Sequence, residues 1–174
     1  GLSSNTVNDI CKDSRGFIWV ATEDGVNRYD GYSFKVYRHI KDDTLLLNNN
    51  KTYTFYRGLE DEFLVGTADG LNRYNSDYDQ FESVLRGYTI NRIVRFDSSN
   101  YLIATSEGVL KLNNEFKVVD IIRSTLSSEV LDVLKDSKGR VWIVNDHAGV
   151  SLVPSDGGEL VHYTSSNAKI PGQV

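Results

Sequence analysis

The 174-residue chain is predicted to be an all-β repeat protein, and three observations predict it. One pattern returns four times: a polar turn, an apolar run, a tight turn with glycine, and a second apolar run. It reads DSRGFIWVATEDGVNRY (13–29), DEFLVGTADGLNRY (61–74), DSSNYLIATSEGVLKL (97–112) and DSKGRVWIVNDHAGVSL (136–152). The anchoring glycines Gly25, Gly70, Gly108 and Gly149 are spaced by 45, 38 and 41 residues, a period that belongs to propeller blades. No stretch makes a convincing helix: the best candidate, Ser127–Lys135, is aligned by the repeat with a strand. Four short antiparallel strands joined by hairpins form a meander, the unit of a β-propeller. About four blades are expected, as a fragment of a seven-bladed ring.

In the first unit (about 2–45), Ser3-Ser4-Asn5-Thr6 leads into strand a, Val7–Lys12. Asp13-Ser14-Arg15-Gly16 turns into strand b, Phe17–Thr22, nearly continuously apolar and so expected to be buried on both faces. Glu23-Asp24-Gly25 turns into strand c, Val26–Tyr29, and Asp30-Gly31 into strand d, Ser33–Arg38. Asp-Gly suits a hairpin because glycine tolerates positive φ. The second unit (about 46–86) places its strands at Thr52–Arg57, Phe63–Thr67, Leu71–Tyr74 and Gln80–Leu85. The third (about 87–125) has Ile90–Phe96, Tyr101–Thr105, Val109–Leu112 and Phe116–Ile122. The fourth (about 126–165) has Val130–Lys135, Arg140–Asn145, Val150–Val153 and Leu160–Tyr163, with a b–c turn one residue longer. Residues 166–174 read as the start of a further blade. The two prolines, Pro154 and Pro171, fall near unit edges, as strand-rich folds prefer.

Composition is that of a globular protein, 40% apolar and 25% charged, with core enough for a domain. A net charge of −5 argues against a nucleic-acid partner, which needs a basic face. No apolar run approaches the roughly 20 residues of a membrane helix, and no signal peptide is visible. With no methionine at all, the chain reads as an excised or processed segment. The single cysteine, Cys11, forms no internal disulfide and says nothing of compartment. His39, His147 and His162 are scattered over different units without zinc spacing, and no cofactor is implied.

The first unit, LSSNTVNDICKDSRGFIWVATEDGVNRYDGYSFKVY, closely resembles the two-component regulator propeller repeat. The matching residues are Leu2, Ser3, Val7, Asp13, Gly16, Ile18, Trp19, Val20, Ala21, Thr22, Gly25, Val26, Arg28, Tyr29 and Asp30. The fourth unit matches through Leu126, Ser127, Val130, Asp136, Gly139, Val141, Trp142, Ile143, Gly149 and Val150. Units two and three depart from it, with Leu64 and Leu102 in place of the tryptophan and without the repeat's glycine at its place in the a–b turn. The resemblance implies the extracytoplasmic, periplasmic sensor region of a membrane-anchored hybrid two-component histidine kinase, sensing oligosaccharides from complex glycans and signalling to transcription. This chain would supply blades of the first of two such propellers. A sensor of that kind is expected to be a dimer, and four open-ended blades are expected to self-associate through the flank of blade one or blade four.

Trp19 and Trp142 recur at one repeat position and are expected to pack blade on blade. Arg28 and Arg73, in identical Asn-Arg-Tyr triplets, are expected to face outward over apolar surface. The b–c turns and the d–a connections share one face of a propeller, so candidate ligand residues there are Asp24, Asp69, Tyr88, Glu107, Asp146 and His147. The lengthened fourth turn singles out the last two, since function is grafted where a loop departs from its repeat. No phosphate-binding glycine motif or nucleophile elbow appears, and no acidic pair stands out as a glycosidase couple. A non-catalytic sensor is therefore the leading expectation. A propeller-fold lyase or hydrolase is the competing one, and a structural spacer or dimerisation module the third.

Overall fold

The computed structural model describes residues 1–41, 46–59, 61–122 and 129–166. It is four β-propeller blades in a row. Each is a four-stranded antiparallel sheet whose strands lie side by side in chain order. Blade 1 holds β1 (Val7–Lys12), β2 (Ile18–Thr22), β3 (Gly25–Tyr29) and β4 (Phe34–Tyr37). Blade 2 holds β5 (Thr52–Arg57), β6 (Phe63–Thr67), β7 (Gly70–Asn75) and β8 (Gln80–Arg86). Blade 3 holds β9 (Ile90–Arg95), β10 (Asn100–Thr105), β11 (Gly108–Asn113) and β12 (Val118–Ile122). Blade 4 holds β13 (Val130–Lys135), β14 (Val141–Asn145), β15 (Gly149–Val153) and β16 (Val161–Tyr163). The expected further blade lies, from residue 167 onward, outside the described residues, as do 42–45 and 123–128. No helix among the described residues is long and apolar enough to cross a membrane.

The inner strands β1, β5, β9 and β13 pack neighbour to neighbour, and three apolar clusters fill the gaps between successive blades. The near-continuous apolar runs of β6 and β10 are buried on both faces because blades 2 and 3 each lie between two others, and β2 in the end blade is buried from Trp19 to Thr22. Trp19 is fully buried between blades 1 and 2, against Phe63 and Tyr74 at 4.9 and 4.8 Å. Its repeat counterpart Trp142 stacks on Tyr163 as Trp19 stacks on Tyr37, but is only partly covered, because it faces outward from blade 4.

Two details depart from the expected strands. Phe116, expected to open strand d of blade 3, sits in the left-handed region at φ 58° and turns its ring into the core beside Tyr101, so β12 starts later. In addition, each a–b pair carries a register shift near the start of its inner strand, at Val7/Asp9, Thr52/Thr54, Ala104/Thr105 and Val130/Asp132. Such a bulge bends the strand and adds twist. In blades 1 and 3 the bulged residue is an asparagine that reaches the next blade. Asn8 Nδ2 donates to Thr52 O at 2.8 Å and Asn91 Nδ2 to Val130 O at 2.9 Å.

Candidate functional site

The b–c turns are built by one repeated device. Thr22 Oγ1 donates to Gly25 O at 2.8 Å and accepts from the Asp24 N–H. Thr67 with Gly70 and Asp69, and Thr105 with Gly108 and Glu107, do the same. The turns are also stitched to the lead-in of their own inner strand. The N–H groups of Glu23, Ala68, Ser106 and Asp146 donate to the carbonyls of Thr6, Lys51, Thr89 and Glu129. Four turns and four lead-ins thus form one face, held by backbone bonds that do not use the acidic side chains.

The six sequence-predicted residues all lie on this face, but each stays with its own blade. Asp24 is clamped by Arg38, Nη2 to Oδ2 at 2.8 Å, and that hydrogen bond holds its carboxyl below the usual range. Asp69 faces Arg86 at 3.9 Å from the corresponding position of β8. Glu23 meets Lys51 at 3.3 Å. Glu107 is exposed, and Tyr88 is half-buried against the cluster between blades 2 and 3. Asp146 lies 3.5 Å from the ring of His147, whose backbone is left-handed at φ 53° and whose side chain is almost fully exposed. Among the described residues, no group of three or more histidine, cysteine or acidic side chains is placed to hold a metal.

Arg28 is where the sequence reading fails. Instead of facing outward it is drawn between blades 1 and 2, its guanidinium 4.6 Å from the Phe17 ring centre. It donates through Nη1 to Asp79 Oδ1 and Tyr74 OH, both at 2.7 Å. Asp79 sits at φ 54° in the c–d turn of blade 2 and also accepts from Tyr37 OH at 2.6 Å, from Tyr74 OH and from Lys35 Nζ. Burial opposes ionisation of Asp79, but these donors and the Arg28 charge outweigh it, so its carboxyl is held well below the ordinary carboxylate range. Burial, then the bond to Asp79, pushes the Tyr37 hydroxyl far up. The cluster is a latch between blades. Arg73, at the same repeat position, leans instead toward the Phe116 ring of blade 3, 5.9 Å away. Only the tyrosines around the repeated Asn-Arg-Tyr triplet hint at this in sequence, because the aspartate comes from the next repeat's turn. On the opposite face, among the a–b and c–d turns of blades 2 and 3, lie two adjoining cavities of about 330 and 470 Å³.

Comparison with known proteins bears out the resemblance. Residues 1–24 match the family model described as Two component regulator propeller. Over 44 residues the chain is 48% identical to Histidine kinase P4 of Formosa agariphila, a match spanning 25% of this chain and 3% of that protein. The extracellular domain of a putative hybrid two component system from B. thetaiotaomicron superposes with a TM-score of 0.82 at 22% identity. That match covers 95% of this chain and 25% of the other. Virginiamycin B lyase from Staphylococcus aureus shares the fold at a TM-score of 0.69 and 13% identity, over 94% of this chain and 57% of the lyase. The chain therefore spans a quarter or less of the two-component relatives it matches, and at these identities the structural likenesses speak to fold alone.

Proposed function

We propose that the chain is a non-catalytic part of the periplasmic sensor region of a membrane-anchored hybrid two-component histidine kinase, and that this region binds oligosaccharides released from complex glycans. The observation that carries the reading is the match of residues 1–24 to the two-component regulator propeller. The geometry favours binding over catalysis: Glu23, Asp24 and Asp69 are each engaged by a lysine or arginine rather than opposed to a second acid. A receptor of this kind signals only if ligand distinguishes two of its states, and blades joined through side-chain latches offer a joint at which states can differ. The isolated segment self-associates through an open flank, in this reading.

The test is calorimetric titration of the full extracytoplasmic region, beside this segment, with a panel of oligosaccharides, followed by chromatography of the recovered sugar. Saturable binding with the sugar unchanged supports the proposal. Shortened or unsaturated products would make the protein an enzyme. No binding by either sample would leave a spacer or dimerisation module.

A further inference from the structure

We propose that the face opposite the b–c turns carries a binding site for a neutral pyranose unit, in the cavity between blades 2 and 3 lined by Tyr56, Leu59, Glu62, Arg95, Tyr101 and Asn114. The proposal rests on the glycan-sensing reading and gives it a place that the turn-face candidates do not.

The starting point is an exception to the repeat. Every inner strand ends on a base: Lys12, Arg57, Arg95 and Lys135. Two of these reach back to the preceding blade. Arg57 Nη1 donates to Lys12 O at 3.4 Å and Lys135 Nζ to Phe96 O at 2.7 Å. Arg95 does not. Its guanidinium lies over the Tyr101 ring at 4.3 Å and donates through Nη2 to Ser98 O at 2.6 Å. Its Nη1 is buried with no hydrogen-bond partner among the described residues. A buried charged donor without an acceptor is costly, and since the Arg95 side chain also lines the cavity, a small turn of its guanidinium would bring this N–H to a ligand oxygen there.

The rest of the lining suits a sugar. The Glu62 carboxylate accepts from Tyr101 OH through Oε1. It lies over Gly58, where any Cβ would collide with it. One guanidinium and one carboxylate make the lining neutral overall, which favours an uncharged polyol over an anion or a cation. Adjacent hydroxyls can then do both jobs, one donating to Glu62 and the next accepting from Arg95. Tyr56, edge-on to Tyr101 at 5.8 Å, and the exposed Leu59 form an apolar wall for the C–H face of the ring. The cavity measures about 470 Å³, within the roughly 300–1,000 Å³ of ligand sites. Through Glu62 and Asn114 it joins a second cavity of about 330 Å³ beside Arg73 and Phe116, so the site admits a chain longer than one unit.

The experiment titrates the full extracytoplasmic region with gluco-, galacto-, manno- and xylo-configured trisaccharides, then repeats the binding titration with Glu62→Gln, Tyr56→Leu and Arg95→Lys. Glu62→Gln retains an acceptor for Tyr101 OH, and thermal melting verifies that each variant is folded. The expected result is that folded Glu62→Gln and Tyr56→Leu each weaken binding about tenfold or more, as loss of a charged hydrogen bond or an apolar wall should. Asp146→Asn with His147→Ala leaves binding unchanged. Binding that survives the groove variants overturns this site while leaving glycan sensing standing. Absence of binding by the unaltered region overturns both.

Discussion

The Trp19 indole N–H donates to Asp13 Oδ2 at 2.9 Å, and Trp142 makes the same bond to Asp136 at 2.9 Å. In both blades the other carboxylate oxygen collects two backbone N–H groups of the a–b turn, from Arg15 and Phe17 or from Lys138 and Arg140. Aspartate and tryptophan therefore form one unit. Blade 2 has lost both together: Gly58 stands where the aspartate would be, and the fully buried Leu64 where the tryptophan would be.

That coupling gives the first prediction. Asp13→Ala strands a buried indole N–H and two turn N–H groups, and is expected to cost about 2 kcal/mol of stability. Asp13→Ala combined with Trp19→Leu should cost less than the two single changes summed, with a coupling on the order of 1 kcal/mol. Urea denaturation of the four proteins measures it.

The blade 1–2 latch predicts a pH effect. Asp79 is more acidic when folded than the ordinary value of 3.8, so it stabilises the fold at pH values above that figure. The contribution fades as pH falls below about 4 and is lost as the carboxyl is protonated in the folded state. Asp79→Asn is expected to cost about 1–2 kcal/mol at neutral pH, discounted for a side chain 35% exposed. It should also flatten the fall in stability between pH 5 and about pH 2. An unchanged pH profile in Asp79→Asn would dismiss the latch as a stabilising ion cluster.

How much of this was legible in the chain depends on the range of each interaction. The glycine turns act within a few residues, so their spacing reveals them, whereas the Asp–Trp bond was missed although only six residues separate the pair. The alignment also correctly overrode the helical look of Ser127–Lys135, because β13 does occupy Val130–Lys135. Arg28 was misplaced because its partner Asp79 is 51 residues away in a turn outside the repeat pattern. The orphaned Arg95 N–H was invisible for a similar reason: its sequence position matches those of Arg57 and Lys135, and only the route of the side chain differs.

Gly25 and Gly16 separate two kinds of glycine requirement. Both have positive φ, 101° and 94°. A Cβ at Gly25 would run into the Tyr37 carbonyl, whereas one at Gly16 meets open space. Gly16→Ala should cost roughly 1 kcal/mol and Gly25→Ala clearly more, read as the difference in melting temperature.

Thr52 joins two blades through one hydroxyl, which accepts from the Thr22 N–H at 2.8 Å and lies 3.0 Å from Thr22 O. Thr52→Val keeps the shape and removes both contacts in a fully buried spot. A loss of about 1–3 kcal/mol is expected, with faster hydrogen exchange at the Thr22 amide as its local signature.

The outward flank of blade 4 exposes Leu131, Leu134, Val144 and Val161 beside the partly covered Trp142. Sedimentation of the isolated segment is expected to show concentration-dependent association, reduced by Leu134→Glu. A monomer at every concentration would refute self-association through that flank.

Among the described residues no β-ladder passes from one sheet to the next, so the blades are joined by side chains, packing and a few turn bonds. A duplicated or deleted blade therefore severs no ladder in its neighbours, and a newcomer has only to fit the side chains packed on either side of it. An array assembled this way can drift in sequence one unit at a time, as the loss of Asp and Trp from blade 2 illustrates. The copied pattern is written within the blades, and the joints between them are where one unit differs from the next.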